Sequence, residues 1–152
     1  SRAIRKGEQD GVDYHYLDTE EFERKIKEDA LLEWQEVYDG MYYGTLKSEL
    51  DRINSLNKYP LLVIDVFGAI NIMKNLKFKP LSIFIQVPSI QILEERLRTR
   101  GADTEEKIQK RLDKASIETD KAKFFDITIM NDDLKTAQYQ LAEIVNYFLH
   151  KN

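Results

Sequence analysis

The 152-residue sequence contains no cysteine, two histidines, three prolines and six glycines. Without cysteine there can be no disulfide, no thiol nucleophile and no cysteine-built zinc site. His15 and His150 alone leave little for a histidine metal site or a Ser-His-Asp triad. No apolar run approaches the ~20 residues of a membrane-spanning helix. The longest, such as Leu61-Leu-Val-Ile64, has the length of a buried strand. The opening Ser-Arg-Ala-Ile-Arg-Lys-Gly has no apolar core of the kind a signal peptide needs. What the chain has is charge of both signs: 33% of residues, with 23 Lys and Arg against 27 Asp and Glu, for a net −4. With 42% hydrophobic residues, that length is a prior for one domain able to bury a substantial core. The expectation is a cytoplasmic protein of a reducing compartment, with no membrane and no nucleic acid among its partners. An acidic total without a continuous basic, aromatic-rich surface argues against DNA or RNA.

Along the chain, Tyr14-His-Tyr-Leu17 reads as a short strand, and Asp18-Thr-Glu-Glu21 as a capping box opening an amphipathic helix through Phe22 and Ile26. Two strand-like runs, 31–37 and 41–43, meet at Asp39-Gly40, which predicts a hairpin. A helix is expected from about Lys47 to Leu56. Leu61-Leu-Val-Ile64 and Ser82-Ile-Phe-Ile-Gln-Val87 are apolar, β-branched runs without clean alternation, as strands buried on both faces are. Helices are expected over 69–76, after Pro88, around Ile108, Leu112 and Ala115, and in a C-terminal stripe from Leu134 to Phe148. Phe125-Asp-Ile-Thr-Ile-Met130 reads as a further strand. Strands alternating with helices predict an α/β domain with a mainly parallel sheet flanked by helices, the hairpin being a β-rich insertion on its edge. Ligands of such sheets lie beyond the carboxyl ends of the strands, where Asp65 and Asn131 fall. There are no repeats, low-complexity tracts or linkers.

Two polar features stand out. Between Arg96 and Lys114 seven basic residues face four acidic ones, a local +3 in an acidic chain. Arg96 and Arg100 share a helical face, Gly101 ends that helix, and Arg111 lies on the next. Such a pair of short helices can be a mobile lid for a polyphosphate, or simply a solvated face of i,i+4 ion pairs. The second feature is a scatter of polar groups around the hairpin: Arg2, Arg5, Tyr14, Glu33, Tyr42, Tyr43 and Thr45. Glu33 lies in an apolar strand, where an unpaired buried carboxylate is costly, unless it faces solvent. Arg2 and Arg5 can equally be frayed terminal charges. Tyr42 and Tyr43 point to opposite sides of their strand, so one of them belongs to the core.

The order of these blocks resembles the guanylate kinase family. It runs R-x-x-R-x-G-E from Arg2 to Glu8, G-V-D-Y-H from Gly11 to His15, L-L-E-W from Leu31 to Trp34, Y-Y-G-T from Tyr42 to Thr45, and I-D-V-x-G from Ile64 to Gly68. The arginine-rich run from Pro88 to Leu112 and N-D-D-L from Asn131 to Leu134 complete it. The resemblance is collinear over essentially the whole chain. It implies a P-loop nucleoside monophosphate kinase-like α/β fold in a single domain over 1–152, with a GMP-binding region over about 1–60 and a core over about 61–152. A helical lid lies at about 96–120. It also implies transfer of a phosphoryl group from ATP, with Mg2+, to GMP in purine nucleotide metabolism, by a monomer or a homodimer. Arg2, Arg5, Tyr14 and Tyr43 would hold the GMP phosphate, Glu33 and Thr45 would read guanine, and Asp65 would lie close to the acceptor. Arg96, Arg100 and Arg111 would close over the ATP phosphates, with Asn131 near adenine. No metal-binding side chain is implied.

The chemistry fits. Guanine presents N1–H and N2–H₂ side by side, which one carboxylate can accept together, and an O6 acceptor suited to a hydroxyl. Phosphoryl transfer needs positioning and positive charge, which explains arginines without a histidine or cysteine nucleophile.

Some features depart from the family. Ile4 stands where proline is usual between the two arginines, and Val63 and Phe67 replace an aspartate and a glutamine that bear on the polar detail around magnesium and guanosine. The segment Val37 to Met41 carries an extra turn residue. The phosphate-cradling motif G-x-x-x-x-G-K-[ST] does not occur: glycines at 7, 11, 40, 44, 68 and 101 include no pair five apart. The resemblance therefore implies a preceding strand–loop–helix unit of roughly 30 residues, without which these 152 residues would not be active alone. The competing expectation is a non-catalytic guanylate kinase-like module that binds phosphorylated peptides, in which a complete set of lid arginines would have no use.

Overall fold

The structure, a computed structural model, describes residues 4, 5, 7–38, 40–75 and 79–151. Its contacts gather into two compact units, Ser1–Leu76 and Lys77–Asn152.

In the first unit, residues 7–16 form a loop held by its own carboxylates. Asp13 accepts from the Gln9 N–H and Asp10 from the Tyr16 N–H, each at 2.8 Å. The run beginning at Tyr14, expected as a strand, makes only an isolated bridge between Asp10 and Tyr14. Its backbone groups go to local turns, such as Gly11 N–H to Tyr14 O at 2.7 Å. Helix α1, Thr19–Lys27, starts where Asp18 accepts from the Glu21 N–H at 2.8 Å. Glu20 and Glu21 sit in its first turn and Arg24, Lys25 and Lys27 in its last, the polarity that suits the helix dipole.

Strands β1 (Leu31–Tyr38) and β2 (Met41–Leu46) pair antiparallel, with Glu33 opposite Thr45, Trp34 opposite Gly44 and Gln35 opposite Tyr43. Gly40, in the turn, has φ +71°, a conformation glycine adopts without strain, and its N–H reaches Glu36 Oε1 at 2.8 Å. The register shifts between Glu36 and Tyr38, beside that turn, and again between Leu31 and Glu33. The pleat separates the two tyrosines. Tyr42 stacks on the buried Phe22 of α1, centroids 5.4 Å apart, whereas Tyr43 shares the face of Glu33 and Thr45.

Helix α2, Lys47–Ser55, follows β2 directly, and helix α3, Val66–Asn75, packs against β1. Between them the run 61–64 is not a strand. Leu61 and Val63 are 76% and 88% exposed. A strand exists by pairing, and among the described residues no backbone lies alongside this run to complete a ladder. Helix α3 begins three residues before the expected start because Asp65 caps it, Oδ1 accepting from the Gly68 N–H at 2.7 Å.

The second unit holds strands β3 (Ile83–Gln86) and β4 (Ile127–Met130), parallel and in register from Ile83 opposite Ile127 to Gln86 opposite Met130. Parallel neighbours need a crossover, here helices α4 (Ile90–Arg100) and α5 (Glu105–Thr119). Ser89 and Thr104 cap these helices, and Gly101 ends α4 in the left-handed region at φ +63°. Leu93, Leu97, Ile108 and Leu112 pack the two together. Helix α6, Leu134–Lys151, packs on β4, where Ile129 is 2% exposed. No helix among the described residues is long and apolar enough to cross a membrane.

Candidate functional site

Some of the expected site residues meet within each unit, and others do not. In the first, the antiparallel register puts Glu33 and Thr45 directly opposite each other on one face of the hairpin. Thr45 Oγ1 donates to Glu33 Oε1 at 2.9 Å. Glu33 is only 5% exposed, and α3 lies over the same face with Gly68 in its first turn. Burial pushes the Glu33 carboxyl above the usual carboxylate range, the Thr45 hydrogen bond opposes this, and the charge of Asp65 adds to it. The amino end of α3 partly offsets two acids held so close together. Glu33, Thr45 and Asp65, expected to serve one acceptor, are thus brought together. Tyr43 lies on the same face, its hydroxyl 3.6 Å from the Met41 sulfur.

Arg5 and Tyr14 belong to the amino-terminal loop. The Arg5 N–H donates to Glu8 Oε2 at 2.8 Å, its side chain being exposed, and Tyr14 meets Tyr16 edge-on at 5.8 Å. Glu8 also accepts from the Tyr16 hydroxyl at 2.8 Å. Arg2 lies outside the described residues.

In the second unit, the basic run divides into two sets. Arg98, Lys110 and Lys114 make i,i+4 pairs with Glu94, Glu106 and Glu118, which is the solvated-face behaviour. Arg98 also meets Glu105. Arg96 instead donates Nη1 to Asn131 O at 2.6 Å and Nη2 to Asp132 O at 2.7 Å, tying α4 to the loop after β4. Asn131 continues the ladder, its N–H reaching Gln86 O at 2.7 Å. Arg100 and Arg111 converge on one carboxylate: Asp103 Oδ2 lies 2.5 Å from Arg100 Nη2 and 3.1 Å from Arg111 Nε. The Asp103 side chain is 5% exposed. An open groove of about 530 Å³ along α4 is lined by Ile92, Glu95, Arg96, Thr99 and Arg100. Arg100 and Arg111 meet at Asp103, Arg96 is held at the loop after β4, and Arg96 and Arg100 line the open groove; guanidinium groups so placed can receive anionic oxygens.

Two positioning residues escape a reading of the sequence. Asp103 counts there only as a charge, although an Asp in the turn between two arginine-bearing helices is placed to gather them. Gly68 is one letter of a motif, although glycine in a first helical turn costs helix propensity and so calls for a reason. A Cβ at Gly68 would lie 2.6 Å from Glu33 Oε2, and one at Gly44 would lie 2.7 Å from Glu33 O. Both glycines therefore make room around the same residue.

Known proteins place these clusters in context. The family model described as guanylate kinase matches residues 1–147. A guanylate kinase of Porphyromonas gingivalis is 44% identical over 99% of this chain and 80% of its own length. That of Bacteroides thetaiotaomicron is 41% identical over 99% and 74%. The crystal structure of guanylate kinase from Anaplasma phagocytophilum superposes with a TM-score of 0.76 at 33% identity, covering 96% of this chain and 70% of that one. With one family model spanning nearly its full length and relatives this similar, the chain belongs to the guanylate kinase family.

Proposed function

We propose that this chain acts in the transfer of the terminal phosphoryl group of ATP to GMP, yielding ADP and GDP. The observation that carries it is the buried Glu33 carboxylate with the Thr45 hydroxyl directly across the hairpin. A carboxylate withdrawn from water needs donors, and guanine brings two adjacent ones, N1–H and N2–H₂. As they arrive, the Thr45 hydroxyl turns from Glu33 to guanine O6. Adenine has an acceptor at N1 and no 2-amino group, so it would leave Glu33 facing a lone pair. A site built this way can discriminate by roughly 10⁴ or more.

Arg2, Arg5, Tyr14 and Tyr43 hold the acceptor phosphate, and Asp65 lies beside the acceptor. Arg96, Arg100 and Arg111 form the lid and stabilise the negative charge on the transferring group, with Asn131 on the adenine side. Their guanidinium groups orient the phosphates while no protein atom forms a covalent bond to phosphorus. Magnesium takes phosphate oxygens and water with one or two carboxylates at most. When bound, it supplies charge neutralisation at the phosphate oxygens. The setting is purine nucleotide metabolism in the cytoplasm.

Relatives from bacteria carrying the name guanylate kinase favour catalysis over a phosphopeptide-binding module. Coupled measurement of ADP release by the full-length protein, with GMP and AMP as alternative acceptors, tests the reading. Turnover with GMP far above that with AMP is expected; no GMP-dependent turnover, or equal use of both, overturns it.

A further inference from the structure

The geometry points to Gly68 as a specificity-determining residue, which fixes where the Glu33 carboxylate stands and thereby which purine the site accepts. This rests on the reading of Glu33 as the acceptor of the guanine edge. One carboxylate oxygen, Oε1, is held by the Thr45 hydroxyl at 2.9 Å. The other, Oε2, stands where a side chain at residue 68 would begin: a Cβ there would be 2.6 Å from Oε2 and 3.3 Å from Glu33 Cδ and Asp65 Oδ1. The residue itself is held in place, because its N–H is bound by Asp65 at 2.7 Å and α3 packs on β1.

A methyl group at this position would therefore move something, and the movable thing is the end of the Glu33 side chain. Its backbone is fixed in the β1–β2 ladder opposite Thr45. The fold would tolerate the change, since alanine is the better helix former in the first turn of α3. Base recognition would not. Two parallel N–H···O contacts to one carboxylate require both oxygens in place to within about 0.5 Å. The absence of a side chain at residue 68 thus gives up helix propensity and leaves room for a bidentate acceptor.

The class of ligand affected is a purine with N1–H and a 2-amino group side by side. Inosine monophosphate keeps N1–H and lacks the amino group, so it reports one of the two contacts. The test is calorimetric titration of the full-length protein with GMP and with inosine monophosphate, for wild type, Gly68→Ala, Glu33→Gln and the double variant. Gly68→Ala should bind GMP roughly ten- to a hundredfold more weakly, the loss of one charge-assisted hydrogen bond. Its binding of inosine monophosphate should change less, and its melting temperature should equal or exceed that of wild type. In the Glu33→Gln background the added methyl should have little further effect, because the two residues act through one carboxylate.

If Glu33→Gln binds GMP as wild type does, the underlying reading of Glu33 is wrong, and this inference falls with it. If Glu33→Gln is weakened while Gly68→Ala binds GMP normally, only the role of Gly68 is overturned. A full Gly68→Ala effect persisting in the double variant, or a fall in melting temperature, also overturns it, because the methyl would then be displacing something other than the carboxylate.

Discussion

Glu33, the residue proposed to read guanine, works against the fold that holds it. Burial raises its carboxyl above the ordinary range, so the folded chain holds this proton more tightly than the unfolded chain does. Its contribution to stability is therefore greatest below the ordinary carboxylate range and is lost as pH rises through the raised value. Replacing Glu33 by Gln removes the cost of ionisation. We expect a melting temperature a few degrees above wild type at pH 8, with the gap closing towards pH 4. The same substitution removes one of the two acceptor oxygens proposed to receive guanine. GMP affinity of wild type should fall on acidification at a pH above the ordinary glutamate range, and that component should vanish in Glu33→Gln. Parallel thermal melts and GMP titrations across pH 4–8 check both signs. The buried carboxylate itself is only half legible in the sequence. An acidic residue inside an apolar strand signals either a solvent-facing position or a buried one, and only the register opposite Thr45 and the overlying α3 show that Glu33 is buried.

Elements are secured here by carboxylates bridging segments distant in sequence. At the start of the parallel pair, Asp126 Oδ2 accepts from both the N–H and the hydroxyl of the buried Ser82, at 3.0 and 2.6 Å. Ser82 Oγ in turn accepts from the Asp126 N–H at 3.0 Å. Burial alone would raise the Asp126 carboxyl, but Lys79 at 2.6 Å and the Ser82 contacts outweigh it and hold it below its usual value. Its stabilisation is present above the ordinary carboxylate range and is lost as pH falls through the depressed value. Asp126→Ala should destabilise the protein by about 2 kcal/mol at pH 7, since two Ser82 donors lose a charged acceptor, with a smaller loss near pH 3. Denaturant melts at the two pH values measure this.

Helices α4 and α5, the proposed lid, give the corresponding functional case. Asp103 holds Arg100 and Arg111 near one another. Arg111→Ala should lower kcat by roughly 10² or more, in line with loss of a charge that acts on the transferring group, while KM for GMP stays within about threefold. Steady-state kinetics with GMP varied at saturating ATP separate the two. An equal loss of GMP affinity would move Arg111 out of the lid. Capping made part of this scale readable beforehand: Asp18 and Gly101 bound their helices as sequence spacing specifies, and the structure adds Ser89 and Thr104 as caps that the sequence reading did not name. The run 61–64 was not readable, because pairing depends on a neighbour that no local pattern encodes, and Leu61 and Val63 stand exposed without one.

For the molecule as a whole, motif order carried more information than composition. A chain without cysteine and with two histidines has few nucleophiles, yet the reaction proposed for it needs none. The hairpin was legible through Asp39-Gly40 and the alternating strands that flank it, and the parallel pair through its β-branched runs. Placement of the chemistry within each unit was not, because contacts such as Arg96 to Asn131 and Glu33 beside Gly68 join segments about 35 residues apart. The central claim is that one buried carboxylate selects guanine. It is tested most directly by the ratio of kcat/KM for GMP to that for AMP, in the full-length protein and in Glu33→Gln. The account predicts a ratio of roughly 10⁴ or more in wild type and a fall of about a hundredfold or more on substitution, carried by weaker use of GMP. A wild-type ratio near one, or a ratio that Glu33→Gln leaves unchanged, would contradict it.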